Sequence, residues 1–323
     1  MKVTAQLESW PIARPFTISR GTKRTAEVVV ATVTDGEFSG RGECVPYARY
    51  GETNRRIVRM IEDYRGPFDR DALEDALPAG AARNALDCAL WDLAAKRSGN
   101  AAWKLAGVSR PVDVVTALTI SLDAPERMGD RARDARGRAL LKVKLGKHSV
   151  ALDIERLRAV RANAPAARLI VDVNEGWSLA DLEAFVPAAL EAGVEMIEQP
   201  LAEGADAGLH RFVSPIPLCA DESIRDGSNL AGIAARYQAV NIKLDKTGGL
   251  TRALALARQA RARNMAVVVG CMVSTSLSMA PALLLSKFAR FVDLDGPQLL
   301  VRDRDPGLEY NDSCLSFSGR VWG

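Results

Sequence analysis

Residues 139–146 read "ALLKVKLG", a short apolar run with Lys142 and Lys144 near its end. Residues two positions apart in a strand point to the same face, so the two ammonium groups are expected to project together. Seven further short apolar runs occur in the chain, namely "VDVVTALTI", "RLIVDVN", "VEMIEQP", "IPLCADE", "AVNIKLD", "AVVVGCM" and "RFVDLDG". The stretch 139–146 is therefore interpreted as one of eight buried strands.

A polar or otherwise special residue closes each run. These closing residues are Thr119, Lys144, Asp172, Glu198, Asp221, Lys243, Gly270 and Asp293. They are 25, 28, 26, 23, 22, 27 and 23 positions apart, a length that suits one strand, two loops and one crossover helix. Eight such units predict an α/β fold, a (β/α)8 TIM-like barrel. An open doubly wound sheet is the alternative, and the lack of a G-x-G-x-x-G turn after the first strands weakens it.

The chain outside the repeats has a different pattern. Residues 1–108 contain "AEVVVATVTD" and "FSGRGECV", which are typical of an antiparallel pair, and helical patterns near 53–64 and 82–97. They are predicted to form a separate α+β domain, with the barrel over 109–305. Residues 306–323 have strand character and are expected to return to the first domain and complete it.

The composition narrows the chemistry that the chain can perform. Acids and bases are interspersed, with a formal net charge of +3, so no nucleic-acid-binding stripe is expected. No apolar run approaches the roughly 20 residues of a membrane span. The N-terminus lacks a signal-peptide pattern, which favours a cytoplasmic location. Five cysteines form no C-x-x-C pair and only two histidines occur, so thiolate zinc sites and histidine triads are disfavoured.

Three consecutive predicted strands close with the carboxylates Asp172, Glu198 and Asp221. The C-terminal ends of barrel strands meet at one mouth, so the three side chains are expected to lie together. Without a cation they would repel one another and raise one another's pKa. A divalent cation removes this penalty, and oxygen-only ligands favour Mg²⁺, with Mn²⁺ as the alternative.

Lysines close the second and sixth strands, which face each other across an eight-stranded ring. Lys144 and Lys243 are predicted to be acid/base residues, one removing a substrate α-proton and the other returning it on the opposite face. The metal would stabilise the enediolate formed between these steps. Lys142 is predicted to lower the pKa of Lys144 and to contact the substrate carboxylate. Lys246 is the alternative to Lys243, which the inward parity of "VNIKL" favours.

The motifs "KVKLG", "VDVNEGW", "IEQPL", "ADES", "NIKLDKTGG" and "GCMVSTS" together resemble the enolase superfamily, specifically its muconate-lactonising-enzyme-like subgroup. The resemblance covers essentially the whole chain. It implies the barrel, a capping domain formed by the first domain, and one Mg²⁺ per subunit held by Asp172, Glu198 and Asp221. It also implies Lys144 and Lys243 as the two acid/base residues, in keeping with the use of lysine bases and Mg²⁺ in this superfamily.

The last strand ends in "FVDLDGP", where Asp293 and Asp295 are expected to face the same way and form an anionic pocket. This D-x-D resembles the signature of dipeptide epimerases, in which the pair binds the free amino terminus of the substrate. The alternative is a purely structural role, in which one aspartate caps the following turn. Thr119 and Cys271 are expected to contact the substrate from the first and seventh strands.

The other end of a dipeptide would be bound by a capping-domain loop near residues 16–25, since such loops lie over the barrel mouth in this family. The loop carries Arg20, Lys23 and Arg24, and an arginine there would bind a second carboxylate bidentately. Arg24 is preferred, followed by Arg20. The implied function is epimerisation at the glutamate α-carbon of L-Ala-D/L-Glu, a dipeptide of cell-wall (murein) metabolism.

Several alternatives stay open at this stage. The same machinery serves dipeptide epimerases of other side-chain specificity, cycloisomerases, o-succinylbenzoate synthases and N-acylamino-acid racemases. A barrel that binds its ligand without turnover is disfavoured, because a binder has no need for two opposed bases. The sequence leaves open whether the chain forms a homo-oligomer.

Overall fold

A computed structural model describes residues 1–323 and contains the predicted eight-stranded parallel barrel. Its strands are β5 (Leu118–Ile120), β6 (Leu140–Lys144), β7 (Arg168–Asp172), β8 (Val194–Glu198), β9 (Leu218–Ala220), β10 (Ala239–Ile242), β11 (Ala266–Gly270) and β12 (Ala289–Asp293). They are hydrogen-bonded in chain order. A parallel bridge between Thr116 and Val292 joins the two edges, so the sheet closes.

Helices cover most of the outside of the barrel and connect its strands. They are α5 (Pro125–Asp134), α6 (Val150–Asn163), α7 (Leu179–Glu191), α8 (Leu230–Ala234), α9 (Leu244–Thr247), α10 (Leu250–Ala262) and α11 (Ser276–Leu283), with 3₁₀ turns at Asp206–Arg211, Ser286–Phe288 and Gly296–Leu299. Ser178 caps α7 in a capping box with Asp181. The outward-facing side chains of the strands and the inner faces of these helices form a continuous apolar core. No helix is long and apolar enough to cross a bilayer.

The first domain is an antiparallel three-stranded sheet covered by helices. Its elements are β1 (Lys2–Ile18), β2 (Gly21–Asp35), β3 (Phe38–Cys44), α1 (Asn54–Glu62), α2 (Arg70–Ala76), α3 (Ala81–Ser98) and α4 (Ala102–Leu105), with a 3₁₀ turn at Ala48–Tyr50. The predicted strand pair is β2 with β3. The predicted loop 16–25 is instead a hairpin, because β1 pairs with β2 up to Ile18 and Gly21. A turn of only two residues joins these strands.

Helix α3 is buried on nearly all sides because it lies between this sheet and the barrel. On the barrel side, Asp87 accepts hydrogen bonds from the backbone and hydroxyl of Thr251. Asn84 donates to Asp245, which also accepts from the backbone of Val45. These contacts fix the first domain on the barrel segment that follows Lys243.

Two glycines of β3, Gly40 and Gly42, let α3 approach the sheet backbone closely. A Cβ added at Gly42 would lie 2.1 Å from the carbonyl oxygen of Ala85. Gly42→Ala is therefore expected to lower the free energy of unfolding by about 3 kcal/mol, measured by urea denaturation. The matched control is Gly137→Ala, where a Cβ meets no atom within 4 Å and a change below about 0.5 kcal/mol is expected. Equal losses in both variants would contradict the close-packing argument.

The C-terminal segment contacts both parts of the molecule. Its strands β13 (Glu309–Asn311) and β14 (Cys314–Ser316) form a hairpin that pairs with β4 (Val114–Val115). The first predicted barrel run is thus divided between two sheets, because β4 pairs with β14 and only β5 belongs to the barrel sheet. The last two residues reach the first domain, where Trp322 Nε1 donates to Cys88 O at 2.9 Å and Gly323 N donates to Asp92. The limits 1–108, 109–305 and 306–323 stay a prediction.

Candidate active site

Asp172, Glu198 and Asp221 lie together at the mouth of the barrel. Asp172 and Glu198 end β7 and β8 and are paired in register, while Asp221 follows β9. All three are buried, and one oxygen from each lies within 4.8 Å of the others. Because the strands end at one level, the side chains of three acids that are far apart in sequence lie next to one another.

Amide groups orient two of the three carboxylates and fix the backbone of the third residue. Asn241 Nδ2 donates to Glu198 Oε1 at 2.7 Å, and the backbone N of Asn174 donates to Asp172 Oδ1 at 3.0 Å. The backbone N of Asp221 is itself bonded to Gln199 Oε1 at 2.8 Å. These contacts hold the carboxylates in fixed directions without using all of their acceptor capacity.

The carboxylates differ in how readily they ionise. Burial and the charge of Asp172 raise the pKa of Glu198 to about 8. Burial opposes ionisation of Asp172 too, but Lys142 and Lys144 lower its pKa below the usual range. Glu198 Oε2 is also buried, and it accepts no hydrogen bond of good geometry although Lys142 Nζ lies 2.9 Å away. An oxygen-only set in which one carboxylate ionises at a cost fits Mg²⁺ well, because a divalent cation would favour the ionised form.

Lys144 and Lys243 reach the same cavity from opposite walls. Lys144 ends β6, and its Nζ lies 2.6 Å from Asp172 Oδ2 and 3.2 Å from Asn174 Oδ1. Lys243 follows β10, four strands further around the ring, and its Nζ lies 2.7 Å from Asp221 Oδ2. Each amine is thus held by one carboxylate of the triad. Lys246 bonds the carboxylate and carbonyl of Asp221 and does not line the cavity.

Lys142 is enclosed by carboxylates of the site. It is almost fully buried, and its Nζ lies 3.0 Å from Asp172, 2.9 Å from Glu198 and 2.7 Å from Asp293. Burial opposes its charge, but these carboxylates raise its pKa. For Lys243, burial likewise opposes the charge and Asp221 raises the pKa. In the metal-free protein the carboxylates therefore hold Lys142 and Lys243 charged.

The acidic pair lies on the cavity wall beside Lys142. Asp293 ends β12, and its Oδ1 is buried and accepts no hydrogen bond. Asp295 begins the next turn, and its Oδ2 accepts from the backbone N of Thr119 at 2.7 Å. Burial and the charge of Asp293 raise the pKa of Asp295 to about 6. Thr119 and Cys271 line the same cavity, which has a volume of about 530 Å³.

The capping hairpin closes the cavity from above, but not with the arginine preferred from sequence. Phe16 pairs with Lys23 and Thr17 with Thr22, so Lys23 lies on the cavity side with Phe16. Strand alternation then places Arg24 on the other face, where it is exposed and does not line the cavity. The preference for Arg24 stays a prediction, and the position of its side chain gives that preference no support.

Arg20 does line the cavity, but acids of the barrel mouth bind it. Its guanidinium lies 2.7 Å from Glu222 Oε1 and 3.0 Å from Glu175 Oε2, and donates to Tyr47 OH. Arg49 makes a second ion pair to Glu175. Lys23 makes no ion pair and is the lining cation of the hairpin that is free to bind an acid.

Sequence reasoning did not single out several cavity residues. They include Phe16, Ile18, Tyr47, Arg49, Tyr50, Glu222, Met272, Val273 and Leu299. Glu222 was detectable, because it directly follows Asp221 in "ADES". The capping-domain residues carry no local signal, since only the docking of that domain brings them to the mouth.

Comparison with known proteins agrees with this architecture. Residues 1–107 match the family "Mandelate racemase / muconate lactonizing enzyme, N-terminal domain", and residues 126–317 match "Enolase C-terminal domain-like". The chain is 45% identical to the L-Ala-D/L-Glu epimerase of Escherichia coli (strain K12), over 95% of this chain and 97% of that protein. It is 43% identical to the N-acetyl-D-glutamate racemase of Pseudoalteromonas sp, over 92% and 95% of the two chains.

A solved structure gives the same result. An enolase family member from Agrobacterium tumefaciens, with homology to dipeptide epimerases and with bound sodium and L-Ala-L-Glu, superposes with a TM-score of 0.95. The two chains are 47% identical, and 99% of each is covered. The predicted family and the barrel with its capping domain are thereby confirmed. The chain belongs to the mandelate racemase/muconate lactonizing enzyme family of the enolase superfamily.

Proposed function

We propose that this isomerase is a dipeptide epimerase that inverts the glutamate α-carbon of L-Ala-D/L-Glu, a peptide of cell-wall metabolism. The observation that carries the proposal is the composition of one cavity. Two lysines face each other across it, an acidic pair lies at one side, and a free lysine lies on the capping hairpin. These groups match the α-proton, the ammonium group and the side-chain acid of that dipeptide. A cytoplasmic location and a homo-oligomeric state stay predictions.

The reaction is a proton transfer between two faces of one carbon. Asp172, Glu198 and Asp221 would hold Mg²⁺, which when bound stabilises negative charge on the substrate carboxylate as the α-proton leaves. Lys144 takes the α-proton of one epimer, and Lys243 donates a proton to the opposite face. The reverse reaction exchanges these roles, so neither lysine changes its net protonation after two opposite turnovers.

The test is a proton-exchange experiment. The protein is incubated with Mg²⁺ and L-Ala-L-Glu in D₂O, and the glutamate α-proton is followed by NMR. Loss of the α-proton signal together with appearance of L-Ala-D-Glu supports the proposal. Exchange only on other dipeptides would revise the specificity, and no exchange on any dipeptide would overturn the proposal.

Asp293 and Asp295 are assigned to the substrate ammonium. The free acceptor Asp293 Oδ1 is the supporting observation, since a buried carboxylate oxygen without a donor favours a cationic partner. Asp295→Asn is expected to lower kcat/KM for L-Ala-L-Glu by about 30-fold, because a charged acceptor is lost. Mg²⁺ affinity, measured by calorimetry, is expected to stay within about twofold, because Asp295 contacts no triad member. A parallel loss of Mg²⁺ affinity would contradict the ammonium role.

Lys23 is assigned to the side-chain carboxylate of the substrate glutamate. Lys23→Met is expected to lower kcat/KM for L-Ala-L-Glu by about 30-fold but to change that for L-Ala-L-Met little, because only glutamate supplies the acid. Arg24→Met is the matched control, one position away on the opposite face of the hairpin, and is expected to leave both values unchanged. A greater loss in Arg24→Met would restore the preference made from sequence.

The main rival is an N-acylamino-acid racemase, which the similarity to the N-acetyl-D-glutamate racemase favours. Such a substrate has an acetyl group in place of the ammonium, so Asp293 and Asp295 would have no cation to bind. N-acetyl-D-glutamate is therefore included in the exchange experiment. Faster exchange on N-acetyl-D-glutamate than on L-Ala-L-Glu would favour this rival.

A further inference from the structure

A second cavity adjoins the substrate cavity at the end assigned to the ammonium. It has a volume of about 280 Å³ and lies between β1, β5, the end of α5 and the turn Gly296–Leu299. Phe16, Thr119 and Leu299 line both cavities. Thr119 is also the residue whose backbone N is bonded to Asp295. The second cavity therefore lies next to the place where the first residue of a dipeptide would be held.

The charge of this second cavity is positive. Three arginines and a single acid line it, namely Arg14, Arg131, Arg138 and Asp134. Arg14 lies 3.6 Å from Asp134, and Arg131 lies 3.2 Å from Asp123. Arg138 makes no ion pair with any carboxylate. One guanidinium charge on the wall is thus left without a counter-ion.

Two hydrogen-bond donors, one of Arg138 and one of Gln298, also lack acceptors. Arg138 NH2 donates to Gln298 Oε1 at 2.7 Å, which fixes the two side chains against each other. Arg138 NH1 and Gln298 Nε2 are both buried and have no partner. Buried donors without acceptors are costly, and an anion that accepted from both would remove this cost. A guanidinium and an amide held side by side form a suitable carboxylate site.

We propose that Arg138 and Gln298 form a subsite for an acidic side chain on the first residue of the substrate. This inference rests on the proposed function, because it takes the ammonium of that residue to lie at Asp293 and Asp295. The side chain on the same α-carbon then extends past Thr119 into the second cavity. The enzyme accordingly accepts dipeptides such as L-Asp-L-Glu, in addition to those with a small first residue.

The subsite also offsets a repulsion. Asp293 and Asp295 favour a cation and disfavour a second carboxylate nearby. An acidic first residue can be accepted only if a positive group faces its side chain. Arg138 is the unpaired cation on that wall, so its removal is expected to reverse the preference and not merely to weaken binding.

The test compares two dipeptides that differ only in charge. In the wild type, kcat/KM for L-Asp-L-Glu is expected to exceed that for L-Asn-L-Glu by about tenfold. In Arg138→Met the ratio is expected to fall below one. In Gln298→Leu the ratio is expected to decrease by about threefold, because one neutral donor is lost. The matched control is Arg133→Met on helix α5, just before Arg138 in the chain; it is an exposed arginine paired with Asp130, and the ratio is expected to stay unchanged.

The outcomes separate this inference from the proposed function. Turnover of L-Ala-L-Glu without any preference for L-Asp-L-Glu in the wild type overturns the subsite alone, whereas no turnover of any dipeptide overturns the proposed function. Inorganic phosphate is the probe for a free anion, and it is expected to inhibit L-Asp-L-Glu turnover competitively and L-Ala-L-Glu turnover weakly. Arg138-dependent phosphate binding without the dipeptide preference would assign the cavity to a free anion and overturn the substrate assignment. If Arg138→Met does not fold, Gln298→Leu and the phosphate experiment decide.

Discussion

Lys243→Ala is expected to lower kcat for the epimerisation of L-Ala-L-Glu by about 1,000-fold, because one of the two faces of the α-carbon loses its proton carrier. Exchange of the α-proton with D₂O is expected to continue for one epimer only, the one whose α-proton faces Lys144. Lys144→Ala is the reciprocal variant, and it is expected to retain exchange for the other epimer only. NMR of each pure epimer in D₂O measures both rates.

Metal binding distinguishes loss of the base from general damage to the site. Lys243 lies 2.7 Å from Asp221, so its removal takes a positive charge away from a metal ligand. Mg²⁺ affinity is therefore expected to be unchanged or higher in Lys243→Ala. Inversion at wild-type rates in this variant, or equal exchange of both epimers, would show that the two lysines do not act on opposite faces.

The barrel and its acidic triad could be predicted because both follow from spacing. Runs of β-branched residues recur at the length of a strand and a crossover helix, and that period admits few architectures. Parallel strands then bring their C-terminal ends to one edge, so Asp172, Glu198 and Asp221 had to converge. No side-chain detail was needed for this step, which depends only on where each strand ends.

Contacts set by strand register and domain docking could not be predicted in the same way. The prediction treated residues 16–25 as a loop and therefore did not consider the alternation of side chains along a strand, which separates Lys23 from Arg24. The two-residue turn after Ile18 sets the register of this alternation. The preference for arginine rested on its bidentate geometry, but the structure shows Arg20 already bound to Glu222 and Glu175. Chemistry alone therefore favoured a residue that does not line the cavity.

The carboxylate contacts of Lys142 could not be predicted, because only its neighbour in sequence was considered. In the folded chain three carboxylates surround its ammonium group, and two of them belong to the triad. A lysine in that position contributes a fixed positive charge next to the metal site. The net shift of a buried group's pKa depends on the sum of nearby charges, which spacing in sequence does not supply.

Glu198→Gln is expected to lower kcat for epimerisation by about 1,000-fold and Mg²⁺ affinity by about 100-fold, because the triad loses one of its three charges. The amide oxygen of glutamine can still accept the hydrogen bond from Asn241, so the local packing is kept. Isothermal titration calorimetry measures the affinity, and the NMR exchange experiment measures the activity. Glu195→Gln is the matched control, a half-exposed glutamate of the same strand β8 that pairs with Arg168 at the N-terminal end of the strands, away from the triad.

The stability of this variant is expected to change in opposite directions with and without metal. Burial and Asp172 raise the pKa of Glu198 to about 8, so the metal-free fold bears a cost for this carboxylate that a neutral amide does not. Without Mg²⁺, the free energy of unfolding of Glu198→Gln is therefore expected to equal or exceed that of the wild type. At a Mg²⁺ concentration about 100 times its Kd, the wild type is expected to gain about 2.7 kcal/mol, and the variant at that concentration much less. A variant that is unstable without metal but still stabilised by Mg²⁺ would show that Glu198 supports the fold and does not bind the ion.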